Sequence, residues 1–465
     1  HVAASLSTPD AALKAAKAGL QEARDLFEFL DQDGNTTSFA DAVKNSSGSF
    51  ETGFVKGSKP KGTPELEVPY KGKTLRGKEI EEQLKKWRDY GTIEPSAADG
   101  IAAVARNKQW ADLSDMYFVM LGAGSAMGPY PLLLALGANV IAVDLNRKPI
   151  WDRLLRIARD SPGNLYFPLA KSQASLNTDD DLAANAGCDL LADAPRVAKW
   201  LTQVLPDKAL TVGSYVYLDG EAHVRLVLAC DAITSEMIQK RKAPVSLAFL
   251  CTPTDCHVIP AAAWAAARAQ QNAVCGARVV KALVAPFSSK ALASNVAPPV
   301  SSEDGETFTY VDGIVVEQGP NYATAKRMQH WRAILARDAG CIVSSNIAPS
   351  TSTVSVTSNR LFAWAYNGVT FFKPMEIFAP ETSHAVMTAL LINDLRDKKS
   401  VANPNTKLRN PLELFASGGF HGGVWRTAYT FGSVGTVSVL IHFVKVGAPY
   451  VIALLLLLFV YKFFL

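Results

Sequence analysis

Two side chains in the segment NYATAKRMQHW, residues 321–331, are suited to proton transfer. Tyr322 and Lys326 are four residues apart, so a helix places both on one face. An ammonium group beside a phenol lowers the pKa of the phenol and can also bind a ribose hydroxyl. The pair predicts a catalytic tyrosine with its lysine, although the same spacing is also typical of a solvated helix face.

A second group of residues is suited to holding a dinucleotide. Gly122, Gly124 and Gly128 follow an apolar run, and Asp144 ends the next one, 20 residues after Gly124. Such glycines allow a sharp turn and a close approach of the backbone to a pyrophosphate at a helix N-terminus. The acid can accept hydrogen bonds from a ribose diol. Met127 stands where a strict G-x-G-x-x-G would have its last glycine.

The glycine turn and the end of the second apolar run are predicted to form one part of a cofactor-binding site. The residues expected to contact the cofactor there are Gly122, Gly124, Ser125, Met127, Gly128, Asp144, Leu145 and Arg147. Asp144 favours NAD, whereas Arg147 and Lys148 are placed to hold the 2′-phosphate of NADP, so both cofactors stay open. A glycine-rich turn that binds no nucleotide is the alternative.

Composition excludes several classes of protein. The 465 residues carry 47 Lys and Arg against 43 Asp and Glu, a net charge of +4 that is too mild to indicate a nucleic-acid partner. Six scattered cysteines indicate reduced thiols, not a disulfide framework. Cys251 and Cys256 bracket T-P-T-D and His257 comes next, but a metal site needs more ligands at defined spacing, so no metal is predicted.

Alternating apolar runs and helical segments predict an α/β fold with a doubly wound parallel sheet. The strand candidates are residues 116–121, 139–143, 164–169, 209–218, 245–251, 279–287 and 341–347. Residues 1–110 are predicted to be a helical N-terminal extension, in which 31–62 form a linker or surface arm. Residues 111–430 are predicted to form a Rossmann-like dinucleotide-binding domain with insertions, and 431–465 a membrane anchor.

From residue 116 to residue 353 the chain resembles the short-chain dehydrogenase/reductase family, as a divergent, extended member. The resemblance rests on the glycine turn, Asp144, the Tyr322 and Lys326 pair, and Asn-Ile-Ala-Pro ending at Pro349. It implies that Tyr322 is the general acid/base of a hydride transfer and that Lys326 binds the nicotinamide ribose. It also implies that the segment at Pro349 closes over the nicotinamide.

The chain departs from that family at two places. The family has a serine about a dozen residues before the tyrosine, whereas here Thr309 lies 13 residues upstream and Ser288 and Ser289 lie further away. The family also has three residues between its first two glycines, and this turn has one.

The C-terminus has the composition of a membrane span. Residues 446–461 carry no charge over 16 positions, and Lys445 and Lys462 flank them. About 20 apolar residues span a bilayer, so this segment predicts a C-terminal transmembrane helix, with a buried core helix as the alternative. The expected protein is a single-pass membrane protein of a plastid or mitochondrion, or of the endoplasmic reticulum, with its body on the side that holds the cofactor.

Two functions are compatible with these features. The first is a membrane-anchored NAD(P)-dependent oxidoreductase of short-chain type that acts on a lipophilic carbonyl or alcohol. The resemblance implies that residues 361–380, which are aromatic and apolar, line the substrate pocket, and core packing explains the same residues at least as well. The second is a catalytically degenerate accessory subunit of an organellar membrane complex, bound to other membrane subunits and to the lipid bilayer.

Overall fold

The structure, a computed structural model, describes residues 1–30, 34–46, 48–273 and 291–447 of an α/β chain. In chain order the described strands are β1 (Phe29–Leu30), β2 (Thr36–Thr37), β3 (Glu51–Lys56), β4 (Glu67–Tyr70), β5 (Lys73–Arg76), β6 (Tyr117–Leu121), β7 (Asn139–Val143), β8 (Asn164–Leu169), β9 (Leu210–Ser214), β10 (Val245–Cys251), β11 (Cys256–Ile259), β12 (Val300–Ser301), β13 (Thr307–Asp312) and β14 (Val343–Ile347).

The described helices alternate with these strands. They are α1 (Val2–Ser5), α2 (Pro9–Leu26), α3 (Phe39–Asn45), α4 (Lys78–Tyr90), α5 (Pro95–Arg106), α6 (Lys108–Ala111), α7 (Tyr130–Ala135), α8 (Lys148–Arg159), α9 (Asp179–Asn185), α10 (Ala194–Gln203), α11 (Glu221–Lys240), α12 (Ala261–Ala273), α13 (Gly319–Asp338), α14 (Val354–Thr357), α15 (Arg360–Val369) and α16 (Pro380–Arg396). Residues 435–447 are also helical up to the limit of the described chain.

Seven strands form the main sheet, in the order β14-β10-β9-β6-β7-β8-β3. Neighbours from β14 to β8 are parallel, and β3 is antiparallel to β8 at the edge. Counted from β6, the parallel strands have the order 3-2-1-4-5-6, which is that of doubly wound nucleotide-binding sheets. In such sheets the crevice lies at the carboxyl ends of the first and fourth strands, here β6 and β9.

The central strands are mostly apolar because helices cover both faces of the sheet. Every residue of β7, NVIAV, is buried. On one face, side chains of β6 such as Val119 pack with helices α2, α10, α11 and α13. On the other, Phe118 and Met120 pack with α5, α7, α8 and α16.

The prediction of an all-parallel sheet is wrong because the segment expected to be a linker contains strand β3. Its residues alternate between exposed and buried from Gly53 onward, as suits an edge strand with one solvated side. Gly53 lies against the ring of Phe167, where a Cβ atom would come within 2.5 Å of ring carbons. The missing side chain therefore lets β3 approach β8, and the sheet is mixed.

The expected transmembrane helix and single-pass membrane localisation are likewise corrected. Among residues 1–30, 34–46, 48–273 and 291–447, no helix combines the length and the apolar character needed to cross a bilayer. Apart from its first two residues, the predicted span 446–461 lies outside the described part of the chain, as does the strand expected at 279–287.

Candidate active site

Tyr322 and Lys326 lie at the carboxyl edge of the main sheet, in the first turns of α13. They line a cleft with the segment that follows β10 and with the segment that precedes α13. The lining residues are Thr252, Thr254, Asp255, Ile314, Val315, Gln318, Gly319, Tyr322, Ala323 and Lys326. The pair therefore lies at the carboxyl edge of the sheet, beside the end of β10, one strand away from the crevice between β6 and β9.

The ring of Tyr322 is held between aromatic neighbours. It stacks on His223 with ring centroids 5.8 Å apart and planes 17° apart, and Tyr217 is 6.3 Å away. Burial raises the pKa of Tyr322 to about 12, and a hydrogen bond with Thr252 acts in the opposite direction. The phenol is thus a neutral proton donor at neutral pH.

The ammonium of Lys326 lies 5.7 Å from the centre of the Tyr322 ring. It donates to the carbonyl of Leu250 at 3.4 Å and to Gln329 Oε1 at 3.2 Å. Burial lowers the pKa of Lys326. The expected lowering of the phenol pKa by this ammonium is not among the influences on Tyr322, whose pKa is raised by burial of the ring.

His223 is the third titratable group beside the ring. It is buried, and burial followed by repulsion from Lys326 lowers the pKa of His223 to about 4. Its Nδ1 accepts a long hydrogen bond of 3.4 Å from the amide of Leu218, and its Nε2 has no partner among the described residues. His223 is therefore a neutral imidazole that stacks on Tyr322 and whose Nε2 is buried without a partner among the described residues.

Thr252 supplies the hydroxyl that the sequence did not reveal. It follows β10 directly, and its Oγ1 lies 2.7 Å from Thr254 Oγ1, which in turn donates to Gln318 at 2.8 Å. Thr309, the candidate by spacing, instead donates to the carbonyl of Ile259 within the small sheet of β11, β12 and β13. The feature of the sequence that could have identified Thr252 is its position directly after a predicted strand.

The glycine turn packs against the segment after β9, and that segment in turn contacts Tyr322. Gly122 has φ of +81°, and a Cβ atom there would lie 3.1 Å from the backbone nitrogen of Val216. Tyr217, the next residue, is the one that contacts Tyr322. Glycine is therefore required at 122 by the backbone and by the close approach of the β9 end.

At the other end of the turn, Asp144 is bonded within the chain. Its carboxylate accepts from the amide of Gly124 at 2.6 Å and from that of Leu145 at 2.8 Å. Burial raises the pKa of Asp144 despite these bonds. Arg153 also donates to the carbonyl of Gly124 at 2.6 Å. Asp144, which was expected to bind a ribose, thus stabilises the glycine turn by hydrogen bonds within the chain.

Most of the other backbone amides of the turn also donate hydrogen bonds within the chain. Gly122 N donates to Val143, Ser125 N to Gly122 and Gly128 N to Ser125, at 2.9–3.1 Å. Helix α7 starts only at Tyr130, has six residues and carries Pro131 in its first turn. A dinucleotide bound at the Gly124 end would therefore need the turn to release amides that already donate within the chain.

The two cations suggested for a 2′-phosphate differ in their surroundings. Lys148 is paired with Asp152 at 3.1 Å and with Asp180 at 2.9 Å. Arg147 is exposed and makes no ion pair within the described residues. Of the two, Arg147 alone is free to meet a phosphate.

Met127 and Pro349 lie away from the cleft of Tyr322. Met127 lines a second cleft, on the opposite face of the sheet, with Tyr215, Asn346 and His384. Pro349 is buried, and the neighbouring Ser350 bonds through its carbonyl to the amide of Phe378 at 2.9 Å. The structure therefore does not bring these two predicted cofactor contacts together with Tyr322.

Comparison with known proteins adds no relative from which a role could be transferred. Neither the protein-family models nor the curated proteins nor the solved structures give a match to the chain.

Proposed function

We propose that the chain is an NAD(P)-dependent oxidoreductase of the short-chain dehydrogenase type that acts on a lipophilic carbonyl or alcohol. The observation that carries the proposal is the convergence of Tyr322, Lys326 and Thr252 in one cleft at the carboxyl edge of the sheet. The parallel strand order supports it, because that order places a ligand crevice at this edge.

In this proposal the side chains of the cleft handle the proton. Tyr322 donates its phenolic proton to the carbonyl oxygen during reduction and takes it back during alcohol oxidation. The Thr252 hydroxyl, which donates to Thr254 in the structure, turns to donate a hydrogen bond to the substrate carbonyl oxygen, and Lys326 stabilises the phenolate that forms. A bound nicotinamide supplies or accepts the hydride at the carbon, so each turnover moves one hydride and one proton.

The surface around the cleft supports an apolar substrate. Ile314 and Val316 beside the entrance are 44% and 64% exposed, and Tyr217 is 54% exposed. Such side chains lower the free energy of an apolar ligand by removing its surface from water. We therefore expect better turnover of long-chain or aromatic carbonyls than of small polar ones.

Replacement of the tyrosine hydroxyl tests the proposal. Tyr322→Phe should lower kcat by about 10²–10⁴-fold, the usual contribution of a general acid/base, with little change in cofactor binding. The matched control is Tyr90→Phe, since Tyr90 is 46% exposed at the end of α4 and outside the cleft. Equal turnover in Tyr322→Phe and the wild type would refute the role.

One observation favours the alternative function, a degenerate accessory subunit. The turn amides and Asp144 already bond to one another, so the chain satisfies its glycine turn without a nucleotide. Calorimetric titration of the full chain with NAD(H) and NADP(H) separates the two functions. Binding of one cofactor supports the enzyme; absence of binding of all four forms supports the accessory role.

A further inference from the structure

Three potential metal ligands meet behind the Tyr322 cleft. Asp255 lies in the turn after β10, His257 lies on β11, and His330 lies on α13. Their ligand atoms all lie within 4.8 Å of one another, and each residue is at most 3% exposed. Two imidazoles and a carboxylate are a common ligand set for zinc and for other divalent first-row transition metals.

Within the described residues, several of these ligand atoms have no partner. Both ring nitrogens of His330 and Oδ2 of Asp255 are buried and make no hydrogen bond. His330 Nδ1 lies 3.7 Å from Asp255 Oδ2. A buried polar atom without a partner costs about 1–3 kcal/mol, and one ion can satisfy Asp255 Oδ2 together with one of the two nitrogens of His330.

The hydrogen bonds around the cluster determine which of its atoms are left for a ligand. Asp255 Oδ1 accepts from the amide of Cys256 and from Arg327 Nη2, both at 2.6 Å, which leaves Oδ2 for another partner. His257 Nε2 lies 2.8 Å from the carbonyl of Thr252 and so carries the ring proton, which leaves the lone pair on Nδ1. Metal-bound histidines are usually oriented by such a bond to a carbonyl.

We propose that Asp255, His257 and His330 bind one divalent transition-metal ion of the zinc class. The ligand atoms are Asp255 Oδ2, Nδ1 of His257 and one ring nitrogen of His330. Bonds of 2.0–2.1 Å in a tetrahedron place ligand atoms about 3.3 Å apart, so separations of up to 4.8 Å in the cluster have to shorten by up to about 1.5 Å on binding. The fourth position is left to a water or an anion.

Burial favours metal binding at this site, whereas a neighbouring positive charge opposes it. Burial lowers the pKa of His257 and, far more, that of His330, so both imidazoles are neutral and able to bind a metal. The guanidinium of Arg327 repels the ion, although it also fixes the carboxylate. A metal here would link the β11 segment to α13 and would hold the Thr252 carbonyl in place through His257.

A titration with Zn²⁺ and Co²⁺ tests the site without any assay of turnover. Protein freed of metal by chelation should bind one ion per chain, and Co²⁺ should give the visible absorption of a coordinated ion. The thermal midpoint should rise with metal concentration, because a ligand of the folded state stabilises it. Wild-type protein that binds no ion, or that binds ions with no change in thermal midpoint, would overturn the proposal.

Variants then locate the ion. His330→Gln and Asp255→Asn should each weaken binding by at least about 10–100-fold, since loss of outer-shell partners alone has that effect. His384→Gln is the matched control and should bind as wild type, because His384 lies on the other face of the sheet near Met127. If both ligand variants fold and bind the ion as tightly as wild type, the site is elsewhere and the proposal fails.

Discussion

Asp144 accepts a hydrogen bond of 2.6 Å from the amide of Gly124, the residue 20 positions before it. The bond joins the end of β7 to the turn after β6 and uses Oδ2 of the carboxylate that was expected to accept from a ribose. A Cβ atom at Gly124 would lie 3.0 Å from this carboxylate and 2.9 Å from Arg153 Nη2. Cofactor binding therefore has to compete with contacts that the chain makes by itself.

The first prediction concerns this competition. Asp144→Asn removes the charge that favours a ribose diol, so the dissociation constant of NADH should rise about tenfold, equivalent to about 1.4 kcal/mol. Titration calorimetry measures the change. Arg147→Ala serves as the comparison, because it should weaken NADPH and leave NADH unaffected. A chain in which neither variant changes the affinity of either cofactor does not use this turn for binding.

The second prediction concerns Thr252, the residue placed beside Tyr322 by the end of β10. Thr252→Val keeps the shape and removes the hydroxyl, so kcat should fall about 10²-fold with a smaller effect on KM. Thr252→Ser should retain most of the rate. Steady-state kinetics on one carbonyl substrate compares the three proteins.

The pH profile distinguishes this role from a structural one. The hydrogen bond with Thr252 lowers the pKa of Tyr322, so its loss should raise that pKa further. Alcohol oxidation needs the phenolate, and the rate should therefore rise with pH at a higher pH in Thr252→Val than in wild type. An unchanged profile at reduced rate would assign Thr252 a structural role only.

The central sheet could be predicted from the sequence because its strands are short, apolar and separated by helices with regular apolar spacing. Strands β7, β8 and β10 begin and end at the predicted residues. Strand β3 was missed, because a surrounding segment rich in glycine and serine hides a half-exposed edge strand. Its pairing partner β8 lies more than a hundred residues later in the chain, and local periodicity carries no information about such pairing.

Part of the cleft could also be predicted from the sequence, because it depends on local spacing. Tyr322 and Lys326 share a helix, so their proximity follows from spacing alone. The cluster of Asp255, His257 and His330 was not accessible, because it depends on how a turn, a short strand and a distant helix pack. Bonds such as that of Asp144 to Gly124 also depend on side-chain geometry that no spacing rule describes.

The third prediction concerns a buried ion group that joins α5 to the C-terminal region. Glu94 accepts from Arg426 at 2.7 and 2.8 Å, and its Oε1 lies 2.9 Å from His421 Nε2. Burial raises the pKa of Glu94, but the bonds with His421 and Arg426 outweigh it and bring the pKa down to about 2. The folded chain therefore binds the proton more weakly than the unfolded chain does.

The sign of the pH dependence follows from this difference. The stabilisation is fully present above the unfolded pKa near 4.5 and is lost as pH falls towards 2. At about 1.4 kcal/mol per pH unit it amounts to about 3 kcal/mol. Urea unfolding at a series of pH values should show this loss in wild type and a much flatter curve in Glu94→Gln.

At neutral pH Glu94→Gln should itself lower the free energy of unfolding by about 3–5 kcal/mol, because Arg426 then lacks its buried counter-charge. Glu82→Gln is the control, since Glu82 lies on the exposed side of α4 and should change little. If Glu94→Gln loses stability between pH 4.5 and 2 as steeply as wild type, other carboxylates govern acid unfolding. The ion group would then fix the position of the C-terminal region without controlling its response to pH.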